Sequence, residues 1–139
     1  MSSNKRIVWI DANVVLRYLL RDNEDLFKSV SEVFLKAESG DLALMIHILT
    51  LAEIIWTLES YYECSKEEIS TILEELIDAD GIEMQESEIV KNALTSYRDN
   101  NVDFVDAYLA ELAFSKGPAR IYTLDRKHFS RLAGDIKIL

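Results

Sequence analysis

Apolar and polar positions run along the chain in blocks whose period switches between that of a buried strand and that of an amphipathic helix. Ile7 to Ile10 is short, β-branched or aromatic, and apolar on both faces, which predicts an internal parallel strand covered by helices on either side. It ends at Asp11. From Glu24 to Glu38, Leu26, Phe27, Val30, Val33, Phe34 and Ala37 recur at helical spacing and Gly40 follows as a stop signal. Leu42 to Ile48 reads as a second strand, and Leu49 to Tyr62 as a helix apolar almost all round, buried on several sides, whose one acid before the last turn is Glu53. Ser65 with Glu68 forms a capping box opening a helix with Ile69, Ile72, Leu73, Leu76 and Ile77 on its inner face, and Asp80 and Gly81 end it. A weak strand at Gly81–Met84, helices at Glu86–Arg98 and Asp103–Ser115, a strand at Ala119–Leu124, a short helical turn after Asp125 and an edge strand at Ile136–Leu139 complete the pattern.

Strands alternating with helices, without a linker or an internal repeat, predict one α/β domain spanning 1–139 with a central, mainly parallel sheet of about five strands flanked by helices. The composition agrees: 49% hydrophobic and 29% charged residues with four Gly and one Pro exclude a disordered or low-complexity chain. A single cysteine, Cys64, forms no internal disulfide and has no Cys or His near it at metal-ligand spacing, so a reducing cytoplasm is the economical expectation. The opening MSSNKRIVWIDAN lacks the pattern of a signal peptide, and the run Leu42–Leu58, broken by His47, Thr50 and Glu53, is too short to span a membrane.

Candidate chemistry lies in the acids. In open α/β sheets ligands bind outside the carboxyl ends of the strands, and Asp11 and Asp125 each follow a predicted strand. Either one alone also reads as a helix N-cap or turn residue. Glu53 sits among Leu51, Ala52, Ile54 and Ile55, where a buried carboxylate requires a cation or hydrogen-bond donors, Arg17 being one available partner. Asp103 and Asp106 share one helix face, where they suit a cap and the helix dipole. Ala107 and Ala110 on that face would leave room for an ion, water or substrate. Five carboxylates drawn from four segments would repel one another, and a divalent cation resolves the conflict. All-oxygen ligation suits Mg²⁺, with Mn²⁺ as a substitute, and metal-assisted phosphodiester hydrolysis is the corresponding chemistry.

The stretches IDANVVLRYLL, LAEIIWTLESYY, DFVDAYLAELA and YTLDRKHF resemble, in order and spacing, the motifs of PIN-domain ribonucleases, especially VapC-type toxins of toxin-antitoxin pairs. The resemblance covers essentially the whole chain. It implies a Mg²⁺-dependent endoribonuclease in which Asp11 and Asp106 are the principal metal ligands, Glu53 and Asp125 complete the acidic pocket, Asp103 is an additional acid and Asn13 supports the first aspartate. Glu53 or Asp125 would orient water or hold a second ion. It further implies a small antitoxin as partner, commonly a homodimer, with Tyr61, Tyr62 and Trp56 as contact points, although core packing is the expected use of Trp56. The family often has Thr where this chain has Ala12, whose side chain is expected to point away from the ion. His47 and His128 are expected in packing or solvent-facing roles.

Two other classes compete. A haloacid-dehalogenase-like phosphatase needs a second acid two residues after its aspartate nucleophile, and position 13 is Asn. A receiver domain needs a Lys after a later strand, where Asp125 stands, and a non-catalytic protein-binding module would make the acids incidental caps. The net charge, 15 basic against 25 acidic side chains or −10, looks hostile to nucleic acid. The charge is unevenly spread, however. Residues 1–21 hold four basic and one acidic side chain and residues 116–139 six and two, leaving five and twenty-two between. Arg17, Arg126 and Lys127 follow pocket acids and are the expected substrate-binding cations, so the sequence predicts local, ion-dependent, salt-sensitive RNA binding.

Overall fold

The computed structural model describes residues 6–139, so the polar lead at 1–5 lies outside the described residues. The element order is β1 (Arg6–Trp9), α1 (Ala12–Leu20), α2 (Glu24–Glu38), β2 (Leu42–Met45), α3 (Ile48–Ser60), α4 (Lys66–Asp78), β3 (Ile82–Glu83), α5 (Ser87–Asp99), α6 (Phe104–Ser115), β4 (Ile121–Thr123), α7 (Arg126–Phe129) and β5 (Ile136–Ile138). These group into two compact units. The first runs to Tyr62 and takes up again at Glu75–Gln85; the second comprises Glu63–Glu74 and Glu86–Leu139.

In the first unit β1, β2 and β3 form a parallel sheet in that order, with Val8 opposite Leu44 and Leu44 opposite Ile82. Leu44 in the central strand is fully buried. α1 packs on α2 and α3, and Tyr18 of α1 stacks on Phe34 of α2 with ring centroids 3.9 Å apart. α2 has the bounds its periodicity predicts, opened by the Asn23 side chain, which accepts from the Leu26 N–H at 3.0 Å. Gly81 sets the approach to β3: its φ is +82°, and a Cβ there would clash with the Ala37 carbonyl oxygen of α2.

In the second unit β4 and β5 pair in parallel, Ile121 opposite Ile136. Ala110, Ile121 and Phe129 form a buried cluster edged by Phe114 and Leu132. The predicted capping box is present: the Glu68 N–H donates to Ser65 Oγ at 3.1 Å and the Ser65 N–H to Glu68 Oε1 at 2.8 Å. Tyr97, fully buried on α5, meets Phe104 of α6 edge to face.

The α/β class and the parallel pairing are as the pattern predicts, but several expectations are corrected. Among the described residues the strands form a sheet of three and a sheet of two rather than one sheet of about five. Periodicity locates strands, whereas pairing is settled by contacts distant in sequence. β1 is an edge of its sheet, with Ile7 and Trp9 exposed, so its apolar run does not mark an internal strand. β2 stops at Met45 because His47 N-caps α3, its Nδ1 accepting from the Leu49 N–H at 3.0 Å. α3 buries only one face, that of Leu51, Ile54, Ile55 and Leu58. Glu53 and Trp56 lie three apart on the other face and are both exposed, which removes the expected burial of each. Among the described residues no helix is long and apolar enough to cross a membrane.

Candidate active site

In the first unit the chain leaves β1 through Ile10, whose N–H donates to the Met45 carbonyl at 3.1 Å. Asp11 then N-caps α1, its Oδ1 accepting from the Val14 N–H at 3.1 Å. The cap reading of Asp11 therefore holds, and it fixes the direction of the carboxylate. Asn13 is exposed, while Ala12 is buried and nonetheless lines the same pocket as Asp11. Asp11, Asn13, Arg17 and Glu53 line one pocket of about 500 Å³, together with Tyr61 and Tyr62. Two of the predicted acids are thus brought together with the predicted supporting asparagine.

Arg17 does not pair with Glu53. Its Nη1 grips both carboxylate oxygens of Asp22 at 2.7 and 2.9 Å, and its Nη2 reaches the Tyr62 hydroxyl at 3.5 Å. Tyr62 first, and the charge of Asp22 after it, hold the guanidinium still more firmly in its charged form. Asp22 lies five positions after Arg17, enough for the chain to turn at Arg21, which has φ +53° and closes α1. An acid beyond the helix end therefore competes successfully with one on a neighbouring helix.

The second unit holds the other three acids. Asp103 occupies the N-cap position of α6, yet its carboxylate makes no capping hydrogen bond. Asp106 lies in the first turn, three residues on and on the same face. Asp125 N-caps α7, its Oδ1 accepting from the His128 N–H at 3.0 Å, while its own N–H donates to Thr123 Oγ1 at 2.9 Å. All three carboxylates converge on one atom. His128 Nδ1 stands 3.1 Å from Asp125 Oδ2, 3.2 Å from Asp106 Oδ2 and 3.6 Å from Asp103 Oδ2.

The electrostatics follow from that convergence. Burial, then the charges of Asp103 and Asp125, push the Asp106 carboxyl above the usual carboxylate range, against the pull of His128. Asp125 is held below that range, chiefly by the His128 backbone N–H. Asp106 is the least exposed of the three at 24%, against 39% for Asp125 and 65% for Asp103. Asp103, Asp106 and His128 each offer one ligand atom, and these atoms lie within 4.8 Å of one another. Carboxylate oxygens gathered beside an imidazole nitrogen are a donor set that fits a divalent cation.

Ala107 and Ala110 do not open space beside this acid pair. Both are buried, Ala110 against Ile121 and Phe129, so their small size serves packing. His128, expected in a packing or solvent-facing role, is the residue that sequence reasoning missed. Its signal is the three-residue spacing from Asp125 on a helical turn, which lets one residue bond that carboxylate through both backbone and ring. Of the three expected substrate cations, Arg126 and Lys127 are exposed on α7, whereas Arg17 is engaged by Asp22. The family model for the PIN domain matches residues 8–135, a span containing all five acids. No curated protein gives a significant match to the chain.

Proposed function

The chain belongs to the PIN domain family, whose members are generally metal-dependent nucleases, and on that premise we propose that it is a Mg²⁺-dependent endoribonuclease, the toxin component of a toxin-antitoxin pair. The observation that carries the reading is the convergence of three carboxylates on one atom, with Asp106 held above the usual carboxylate range by burial and its acidic neighbours. Acids so placed repel one another at neutral pH, and a protein that keeps them there is arranged for a cation.

A bound divalent cation supplies charge neutralisation at a phosphate oxygen and a more acidic water. In the second unit Asp103 and Asp106 offer oxygens within 4.8 Å of one another and Asp125 turns an oxygen to the His128 imidazole, and Asp11 and Glu53 line the pocket of the first. We assign Asp11 and Asp106 as metal ligands. Asp11 is preorganised for that task, since its capping bond leaves the second oxygen available. Asn13 stands exposed beside it. Arg126 and Lys127, on the solvent face of the turn that carries His128, supply the phosphate contacts, which carry no sequence preference by themselves. Mn²⁺ substitutes for Mg²⁺, the setting is a reducing cytoplasm, and a small antitoxin and a second copy of the chain are the protein partners.

Cleavage of a mixed RNA pool, run with Mg²⁺, with EDTA, and with Asp11→Asn and Asp106→Asn proteins purified in parallel, tests the reading. Cleavage is expected only with the unsubstituted protein and the ion, each substitution costing at least about 100-fold, the scale of losing a group that acts on the transition state. Cleavage that persists in both variants would assign the activity to a contaminant and remove the proposal.

A further inference from the structure

We propose that the His128 imidazole and the cation compete for one position, the point on which three carboxylates converge, so that cation binding requires the ring to leave. This inference rests on the metal-dependent reading above and concerns which residue sets the ion affinity of that site. A ring nitrogen carries at most one hydrogen and donates one good hydrogen bond. Three carboxylate oxygens nevertheless surround Nδ1 at 3.1, 3.2 and 3.6 Å. Acceptors in that excess round one donor form the shell of a cation more closely than a hydrogen-bonding network.

His128 has means to stay and a way out. It is tethered by its backbone N–H to Asp125 Oδ1 at 3.0 Å, so the ring can swing about its side-chain bonds while the α7 turn and the Asp125 cap remain as they are. Its neighbours Arg126 and Lys127 are exposed, and its own side chain is 19% exposed. Directly beneath, Phe129 is buried with Ala110 and Ile121, which anchors the turn while the ring moves. The imidazole offsets the mutual repulsion of the three acids, at the expense of apparent ion affinity.

Mn²⁺ affinity measured by titration calorimetry on the full chain at one fixed pH, for the unsubstituted protein and His128→Ala, provides the test. A ring that fills the position in about nine molecules of ten lowers apparent affinity about tenfold, so His128→Ala is expected to bind Mn²⁺ about tenfold more tightly. Equal or weaker binding by His128→Ala overturns the inference, weaker binding making the ring a ligand. Should that variant fail to fold, ¹⁵N-imidazole spectra of the unsubstituted protein during a Mg²⁺ titration decide. The His128 Nδ1 resonance should move and saturate while that of His47, whose Nδ1 is engaged by the Leu49 N–H, stays put. A His128 signal unmoved at ion saturation overturns the inference alone. Absence of any Mn²⁺ or Mg²⁺ binding overturns it together with the nuclease reading.

Discussion

Asp106→Asn should stabilise the metal-free protein while it abolishes ion binding. Asp106 is only 24% exposed, and its oxygen lies within 4.8 Å of the Asp103 oxygen. Two like charges at that separation repel by roughly 0.9 kcal/mol in water and roughly 3.5 kcal/mol at an effective dielectric of 20. Burial and the Asp125 charge add to this, and His128 Nδ1 at 3.2 Å offsets part of it. Asn keeps a carbonyl oxygen for that nitrogen and sheds the charge. Because the Asp106 carboxyl is held above its usual range, repulsion and burial outweigh the attraction. A net gain of about 1–2 kcal/mol follows, or roughly 3–6 °C in Tm for a chain of this size. A carboxyl raised on folding costs nothing below its unfolded pKa, and its full penalty is present above the raised native value. In urea titrations with EDTA, the variant's advantage should therefore be full at pH 7.5 and fade as acid protonates Asp106. Saturating Mg²⁺ should reverse the order, since an ion at about 100 times its Kd stabilises only the protein that binds it, by about 2.7 kcal/mol. A variant less stable than the unsubstituted protein in EDTA at pH 7.5, or an advantage that grows on acidification, would refute this balance of forces.

The backbone offers two further checks. Gly81→Ala should cost about 2–5 kcal/mol, combining a left-handed residue with displacement of the α2 backbone at Ala37. Gly40→Ala, also at positive φ but with nothing within 4 Å, should cost only about 1–2 kcal/mol; equal losses in thermal melts would deny the close approach. Ser65→Ala removes half of the α4 capping box and should cost about 1 kcal/mol. Glu68, held below the usual carboxylate range first by the Ser65 backbone N–H, stabilises above its unfolded pKa. That contribution is lost as pH falls through the lowered value, so Glu68→Ala and the unsubstituted protein should converge in acid; a gap constant from pH 7 to pH 3 would rule the cap out as its source.

Local signals are legible in the sequence where the local environment decides the outcome. α2 has its predicted ends because Asn23, the apolar spacing and Gly40 act within one helix, and the α4 box likewise needs only Ser65 and Glu68. Burial on α3 is not legible, because an apolar helix does not state which face its neighbours cover. Leu51, Ile54, Ile55 and Leu58 take the covered face, leaving Glu53 and Trp56 outside. Ala107 and Ala110 mislead for the same reason, since a small side chain marks close packing as readily as open space. All five acids are legible as candidates, with Asp11, Asn13 and Glu53 on one pocket and Asp103, Asp106 and Asp125 round one atom. His128 is legible only in part: its spacing from Asp125 is local, but its contact with Asp106 depends on α6, some twenty residues earlier.

The opposition between a capping aspartate and a functional one, natural in sequence, dissolves in the structure. A cap engages one carboxylate oxygen, and an ion or a ring nitrogen needs only the other. Asp125 gives Oδ1 to the His128 N–H and turns Oδ2 to the His128 ring, so its cap is what aims the second oxygen. Asp11 uses Oδ1 in the same way and still lines its pocket. Asp103 is the inverse: it stands at an N-cap position, forgoes the capping bond, and its carboxylate approaches His128 instead. Forgoing that bond gives up about 1 kcal/mol of helix stability, and the oxygen then lies close to the carboxylate of Asp106, so the placement is costly twice over. A residue chosen for folding alone would cap. An aspartate that does not cap, on the same helix face as one whose charge is disfavoured, is what the proposed cation site at this end of α6 requires.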